Sequence, residues 1–259
     1  MMAIRHQAIS IKQVIRIEWM QRTVNLLLAG LEARAIRQEL HEFLADRKSS
    51  GREGERSDQT RTFVVNNLMK IWVSPDPDLL AFRDASLACA RQHPPLALAV
   101  HWGMVMAVYP FWFNVARHTG RLLALQDQVT QRQIIDRLKE GYGDRETLSR
   151  YARCVIRSFV AWGVLRDTAV RGCYEKGAPL RVADADLVIL LLESTLHATP
   201  EGKGAVGLLQ RHPALFPFQL PTLSGDLLAR RGDRLEVVRF GLDDDLLKLR
   251  REPSWGLGG

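Results

Sequence analysis

The chain has 259 residues, enough for one large domain or two or three small ones, and its 46% hydrophobic content is ample for a real core, which excludes a disordered chain. Lysine and arginine outnumber aspartate and glutamate by 36 to 29, giving a formal charge of +7 and a sequence pI near 9.7. That balance favours partners carrying negative charge without choosing between nucleic acid and anionic lipid.

The three cysteines, Cys89, Cys154 and Cys173, are widely spaced and form no CxxC pair, so neither a disulfide framework nor a thiolate zinc site is expected. A cytoplasmic location is the simplest expectation. Residues 1 to 30 carry basic side chains throughout, and their longest apolar run, Leu26 to Ala29, is too short for a secretory h-region.

From Ile11 to about Asp46 apolar residues recur at helical spacings, with Gly30 expected to separate two helices. The stretch "DRKSSGREGERSDQTR" holds five basic and four acidic residues and no large apolar side chain, which predicts a flexible loop over 47–62. Helical patterning resumes at "TFVVNNLMKIWV", stops at "SPDPD", and returns from Leu79 to Ala90.

No charged residue occurs between Arg91 and Arg117, a stretch of the length that a membrane-crossing helix of roughly 20 residues needs. Pro94, Pro95 and Pro110 interrupt this stretch, and His101 and Asn114 add polar groups, so a buried helix from about Leu96 to Tyr109 is the expectation. Tyr109, Phe111, Trp112 and Phe113 then read as core rather than as a platform for stacked bases, because no basic residue is interleaved with them. Residues 1–126 are thus expected to form an all-α helical domain.

A second unit is expected over 127–182. Thr130 followed by Gln133 is a capping-box start, Ile134, Ile135 and Leu138 give a short helix its apolar face, and Gly141 and Gly143 are expected to end it. A longer helix then runs from Asp144 or Arg145 to about Trp162, stopped by Gly163. The following "VLRDTAVRGCYEKGAPLRV" reads as short extended runs broken at Arg171-Gly172 and Lys176-Gly177, a hairpin or wing. Short helix, glycine turn, long helix and hairpin describe a winged helix-turn-helix.

The remainder, 183–259, is expected to be a small α/β part packing on the rest. Asp184 or Asp186 caps the apolar "LVILLLESTLHA", "RHPALFPFQLPTL" reads as a proline-broken loop, and "RLEVVRF" alternates like a strand. The fold class is mainly α.

Within the long helix, at about 100° per residue, Arg150, Arg153 and Arg157 share a stripe about 60° wide, opposite Leu148, Ala152, Val155 and Phe159. This is the construction of a recognition helix, anchored on one face and offering guanidinium groups to a major groove on the other. From Thr130 to Arg181 there are eleven basic and six acidic residues, a net +5 of the chain's +7. The expected contacts to double-stranded DNA are Arg145, Arg150, Arg153 and Arg157, with Arg171 and Lys176 positioning the wing on phosphate. The competing reading is an ordinary solvated helix face that meets acidic groups or a protein partner.

No nucleotide-binding, zinc-hydrolase or serine-hydrolase motif occurs, and the seven histidines show no ligand spacing. His101 reads as a core histidine, Asp184 and Asp186 as helix caps, and Asp243 to Asp245 as a solvated turn or helix start rather than a cation site. No enzyme activity, metal, cofactor or small-molecule substrate is expected.

"RTVNLLLAGLEARAIRQELHEFLADR", "TRTFVVNNLMKIWV" and "YARCVIRSFVAWGVL", in that order, resemble the BrxA family of bacterial BREX phage-defence systems. The resemblance covers about residues 15 to 245 and implies a helical domain like the antitermination factor NusB, a winged helix, DNA binding, other defence-system proteins as partners, and no catalysis. Besides a DNA-binding defence component, the sequence is compatible with a scaffold subunit of such an assembly, or with a winged-helix transcription regulator.

Overall fold

The computed structural model describes residues 2–47, 54, 57–240 and 244–250, and they are mainly helical with three small sheets. Helix α1 (Met2–Gln7) is followed by an extended stretch in which Ile11 takes a φ of 71°. The helical spacing seen from Ile11 onward therefore overextends the next helix, α2 (Ile17–Leu28), by half a dozen residues. The reason is tertiary. The backbone of Ile15 is held by side chains far along the chain, its N–H donating to Ser158 Oγ at 2.9 Å and its carbonyl accepting from Trp162 Nε1 at 2.9 Å.

Gly30, at a φ of 79°, separates α2 from α3 (Ala33–Phe43) as expected. Helix α4 (Asp58–Leu68) starts inside the segment expected to be a loop, so residues 58–62 are helical. Ser57 explains the difference: its side chain accepts from Thr60 N–H, and Asp58 occupies the favourable first turn. Residues 48–53, 55 and 56 of that segment lie outside the described residues. A π turn over Met69–Val73 extends α4, and α5 (Leu80–Gln92), α6 (Ala97–Val108) and α7 (Pro110–Leu123) follow.

Pro110 occupies the first position of α7, where its missing N–H is no loss, and the chain bends by 117° there. Every residue from Ala99 to Val108 is buried, as are Phe111, Trp112 and Phe113, so the aromatic cluster is core. Among the described residues no single helix is long and apolar enough to cross a membrane.

Strand β1 (Gln128–Thr130) leads into α8 (Gln131–Tyr142), and the capping box of Thr130 and Gln133 forms as expected. Gly141 stays within α8; only Gly143, at a φ of 74°, ends it. Helix α9 (Glu146–Ala161) stops before Gly163, and β2 (Leu165–Asp167) and β3 (Cys173–Lys176) form an antiparallel hairpin. Strand β1 pairs with the other edge of β3, giving the order β1-β3-β2.

Strand β4 (Leu180–Arg181) leaves this sheet, and α10 (Ala185–His197) begins at Asp184, whose Oδ1 accepts from the N–H groups of Asp186 and Leu187 at 3.1 and 3.0 Å. Strand β5 (Lys203–Ala205), α11 (Val206–Gln210), β6 (Phe218–Gln219), α12 (Gly225–Arg231), β7 (Leu235–Phe240) and β8 (Asp244–Leu249) complete the order. The strand expected from "RLEVVRF" is present as β7. The expected proline-broken loop is instead anchored in the interior: Ala214, Leu215, Phe218 and Leu223 are buried, and β6 pairs in parallel with β4. Asp244 and Asp245 open a strand that pairs with β7 rather than a turn or helix, while Asp243 lies outside the described residues.

One hydrophobic cluster joins residues from Ile11 to Leu247. Helix α10 packs on α6 at Gly103, where even a Cβ would come within 3.2 Å of Leu190. Trp102 of α6 sits among the rings of Trp112, Phe159, Trp162, Phe216 and Phe218, with centroids 5.0 to 6.1 Å away, and its Nε1 donates to the Ala214 carbonyl at 3.1 Å. Phe159 and Trp162 tie α9 into this centre, so the helix bearing the arginine stripe is rigidly seated.

Candidate nucleic-acid interface

Helix α9 is amphipathic because Leu148, Ala152, Val155 and Phe159 recur on one face, and all four are buried. Arg150 and Arg153 are exposed on the opposite face, and Arg157 is partly exposed. The stripe inferred from periodicity is therefore on the surface, but its three members are not equivalent.

Arg157 Nη1 lies 2.5 Å from Asp167 Oδ1, on the first strand of the hairpin. Burial disfavours its charge, but the bonds to Asp167 and Tyr174 outweigh that and raise its pKa. Arg157 is therefore occupied within the protein. Arg150 lies with its guanidinium carbon 5.2 Å from the centre of the Tyr151 ring, and neither it nor Arg153 forms an ion pair among the described residues. Both act on Cys154: burial raises its thiol pKa, and the two arginines partly oppose the shift.

Arg171 is exposed in the turn joining β2 to β3, beside Gly172 at a φ of 77°. Lys176 is opposite Leu165 at the other end of the hairpin, where it borders a cavity of about 340 Å³ with Leu123, Gln210, Arg211 and Phe216. Arg145 is the N-cap residue of α9, with no side-chain cap bond, and lines a separate cavity with Arg117, Arg121 and Arg137. Of the six expected contact residues, the fold gathers Arg150, Arg153 and Arg157 on one helix face next to the hairpin that carries Arg171. It sends Arg145 and Lys176 to other surfaces.

Two features of this region escape sequence reasoning. The extended stretch before α2 lies along α9: Cys154 Sγ donates to the Lys12 carbonyl at 3.4 Å, and the Ile15 bonds to Ser158 and Trp162 continue the seam. This places exposed Lys12 beside the arginine stripe, with its Nζ 5.1 Å from the centre of the Phe63 ring. The basic cavity at the start of α9 draws Arg117 and Arg121 from α7, a helix that in sequence reads only as core. The one signal for it is the spacing of Asn114, Arg117, His118 and Arg121, which puts them on a single helix face.

Among the described residues no cluster of histidine, cysteine and carboxylate groups could hold a metal ion, and Cys89, Cys154 and Cys173 are all free thiols. Comparison with family models, curated proteins and solved structures finds no match to this chain.

Proposed function

We propose that this chain is a non-catalytic, double-stranded-DNA-binding protein, with Arg150 and Arg153 as its principal groove or phosphate contacts. The observation that carries the reading is that these two guanidinium groups stand outward on a rigidly seated helix without a carboxylate partner. The surrounding order supports a winged helix: α7, β1, α8, α9 and the β2–β3 hairpin follow one another, and β1 flanks β3. In this reading α9 is the recognition helix, Arg171 reaches a neighbouring phosphate from the hairpin turn, and Arg157 joins only on leaving Asp167.

The placement within a BREX-like phage-defence assembly, and a NusB-like character for the N-terminal helices, rest on the sequence resemblance alone, and a cytoplasmic location rests on the cysteine usage. A mobility-shift titration with a random-sequence duplex tests the DNA reading. The wild-type chain is expected to retard the duplex, and substitution of Arg150 and Arg153 by alanine to weaken retardation. A folded wild type that leaves the duplex unshifted in dilute salt would overturn the reading in favour of a scaffold.

A further inference from the structure

The cavity beside the start of α9 has a volume of about 530 Å³ and brings together charge from three helices. Arg117 and Arg121 come from α7, Arg137 from α8, and Arg145 from the N-cap of α9; the sole carboxylate in the lining is Glu140. Glu140 Oε1 is already bonded to Arg137 Nη1 at 2.9 Å. Arg117, Arg121 and Arg145 form no ion pair among the described residues.

Arg117 is the most constrained of these. Its Nε is buried without a hydrogen-bond partner, and its guanidinium carbon is 5.9 Å from the centre of the Phe113 ring. Burial, and then Arg121, lower its pKa, so its surroundings within the protein work against its charge. His118, beside it, is lowered to about 4 by burial and then by Arg117 and Arg121, and is neutral near pH 7. Asn114 Nδ2 donates to Tyr142 Oη at 2.8 Å, which fixes the phenol at the wall without supplying negative charge.

A half-buried arginine with an unused donor, in a cavity where three guanidinium groups meet and the one carboxylate is already paired with Arg137, is a poor device for stability alone. Removing charge from water is recovered only by a close counter-charge. The guanidinium fork matches phosphate oxygens in pairs, and three uncompensated charges call for a compact anion carrying several. The volume falls in the range of small-molecule sites.

We propose that this cavity binds a small anion carrying two or more linked phosphate groups, with Arg117, Arg121 and Arg145 as its ligands. The site is separate from the arginine stripe and does not depend on the DNA reading. Inorganic tripolyphosphate is the probe of choice, because it presents linked phosphates without a base or sugar.

Isothermal titration of the full chain with tripolyphosphate, with citrate and a short DNA duplex as competitors, tests the assignment. Saturable binding is expected, weakened at least tenfold by Arg121→Gln and by Arg145→Gln, whose exposed side chains can be changed without disturbing the core. Arg117→Gln should abolish it, while Arg150→Gln with Arg153→Gln should leave it unchanged. No saturable binding by folded wild type, or equal weakening by the Arg150 and Arg153 pair, would overturn the site. Citrate competing as well as tripolyphosphate itself would overturn the phosphate class. Displacement by the duplex would show that the cavity serves the phosphates of DNA rather than a small anion.

Discussion

Asp167 holds Arg157 at 2.5 Å and so fastens the C-terminal end of the basic face of α9 to the first strand of the hairpin. The pair sets the relative position of helix and hairpin, and it also puts a negative charge beside the surface read as facing phosphate. Its side chains are 42% and 51% exposed, so its contribution to stability is small, at most about 1 kcal/mol.

Replacing Asp167 by asparagine should therefore leave the fold intact and strengthen duplex binding by about twofold to tenfold, through loss of repulsion and release of Arg157. Anisotropy titrations of wild type and variant, with thermal melts as a folding control, check this. Weaker binding by the variant would show that the ion pair organises the interface rather than restraining it.

Gly120 makes the closest approach between α7 and the turn at Pro213–Leu215. A Cβ there would stand 2.0 Å from the Pro213 carbonyl oxygen, so Gly120→Ala must push the two apart. A loss of about 1–3 kcal/mol in urea unfolding is expected. Stability equal to wild type would mean that the 211–223 segment is not locked into the core as described.

Stability should also fall on acidification, beginning near neutrality. Burial lowers the pKa of His101 from 6.5 to about 3, and burial with Arg117 and Arg121 lowers His118 and His212 to about 4. The unfolded chain takes up these protons below 6.5 while the folded chain refuses them, so stability is full above 6.5 and declines as pH falls. His101 alone removes roughly 2 kcal/mol by about pH 5. Glu193 extends the decline: burial raises its pKa, but bonds from His197 and Arg234 outweigh this and hold it below 4.5, so its contribution disappears as pH drops through that lowered value. Denaturant melts across this range should show stability declining below pH 6.5; a flat profile down to about pH 5 would contradict the buried, neutral histidines.

What the sequence made legible is what local chemistry decides. The capping box at Thr130, the stop at Gly163, the all-round apolar α6 and the arginine stripe each depend on neighbours within one or two turns. What it hid depends on distant partners. Residues 8–16 keep an apolar pattern but are extended, because Ile15 is held by Ser158 and Trp162. The prolines of 211–223 imply surface, yet the turn they form is what closes over Gly120 and Trp102. The same limit applies to the site. Periodicity identifies which arginines share a helix face, but not that Asp167 occupies one of them, nor that Arg145 faces the arginines of α7 across a cavity.

The most direct test of the account is the salt dependence of duplex binding, measured by fluorescence anisotropy for the wild type and for the Arg150→Ala, Arg153→Ala double variant. If both arginines meet phosphate, the logarithm of affinity should fall linearly with the logarithm of salt, and the variant's slope should be shallower by about two. An unchanged slope, or no binding by the folded wild type, would contradict the claim that this face of α9 reads DNA.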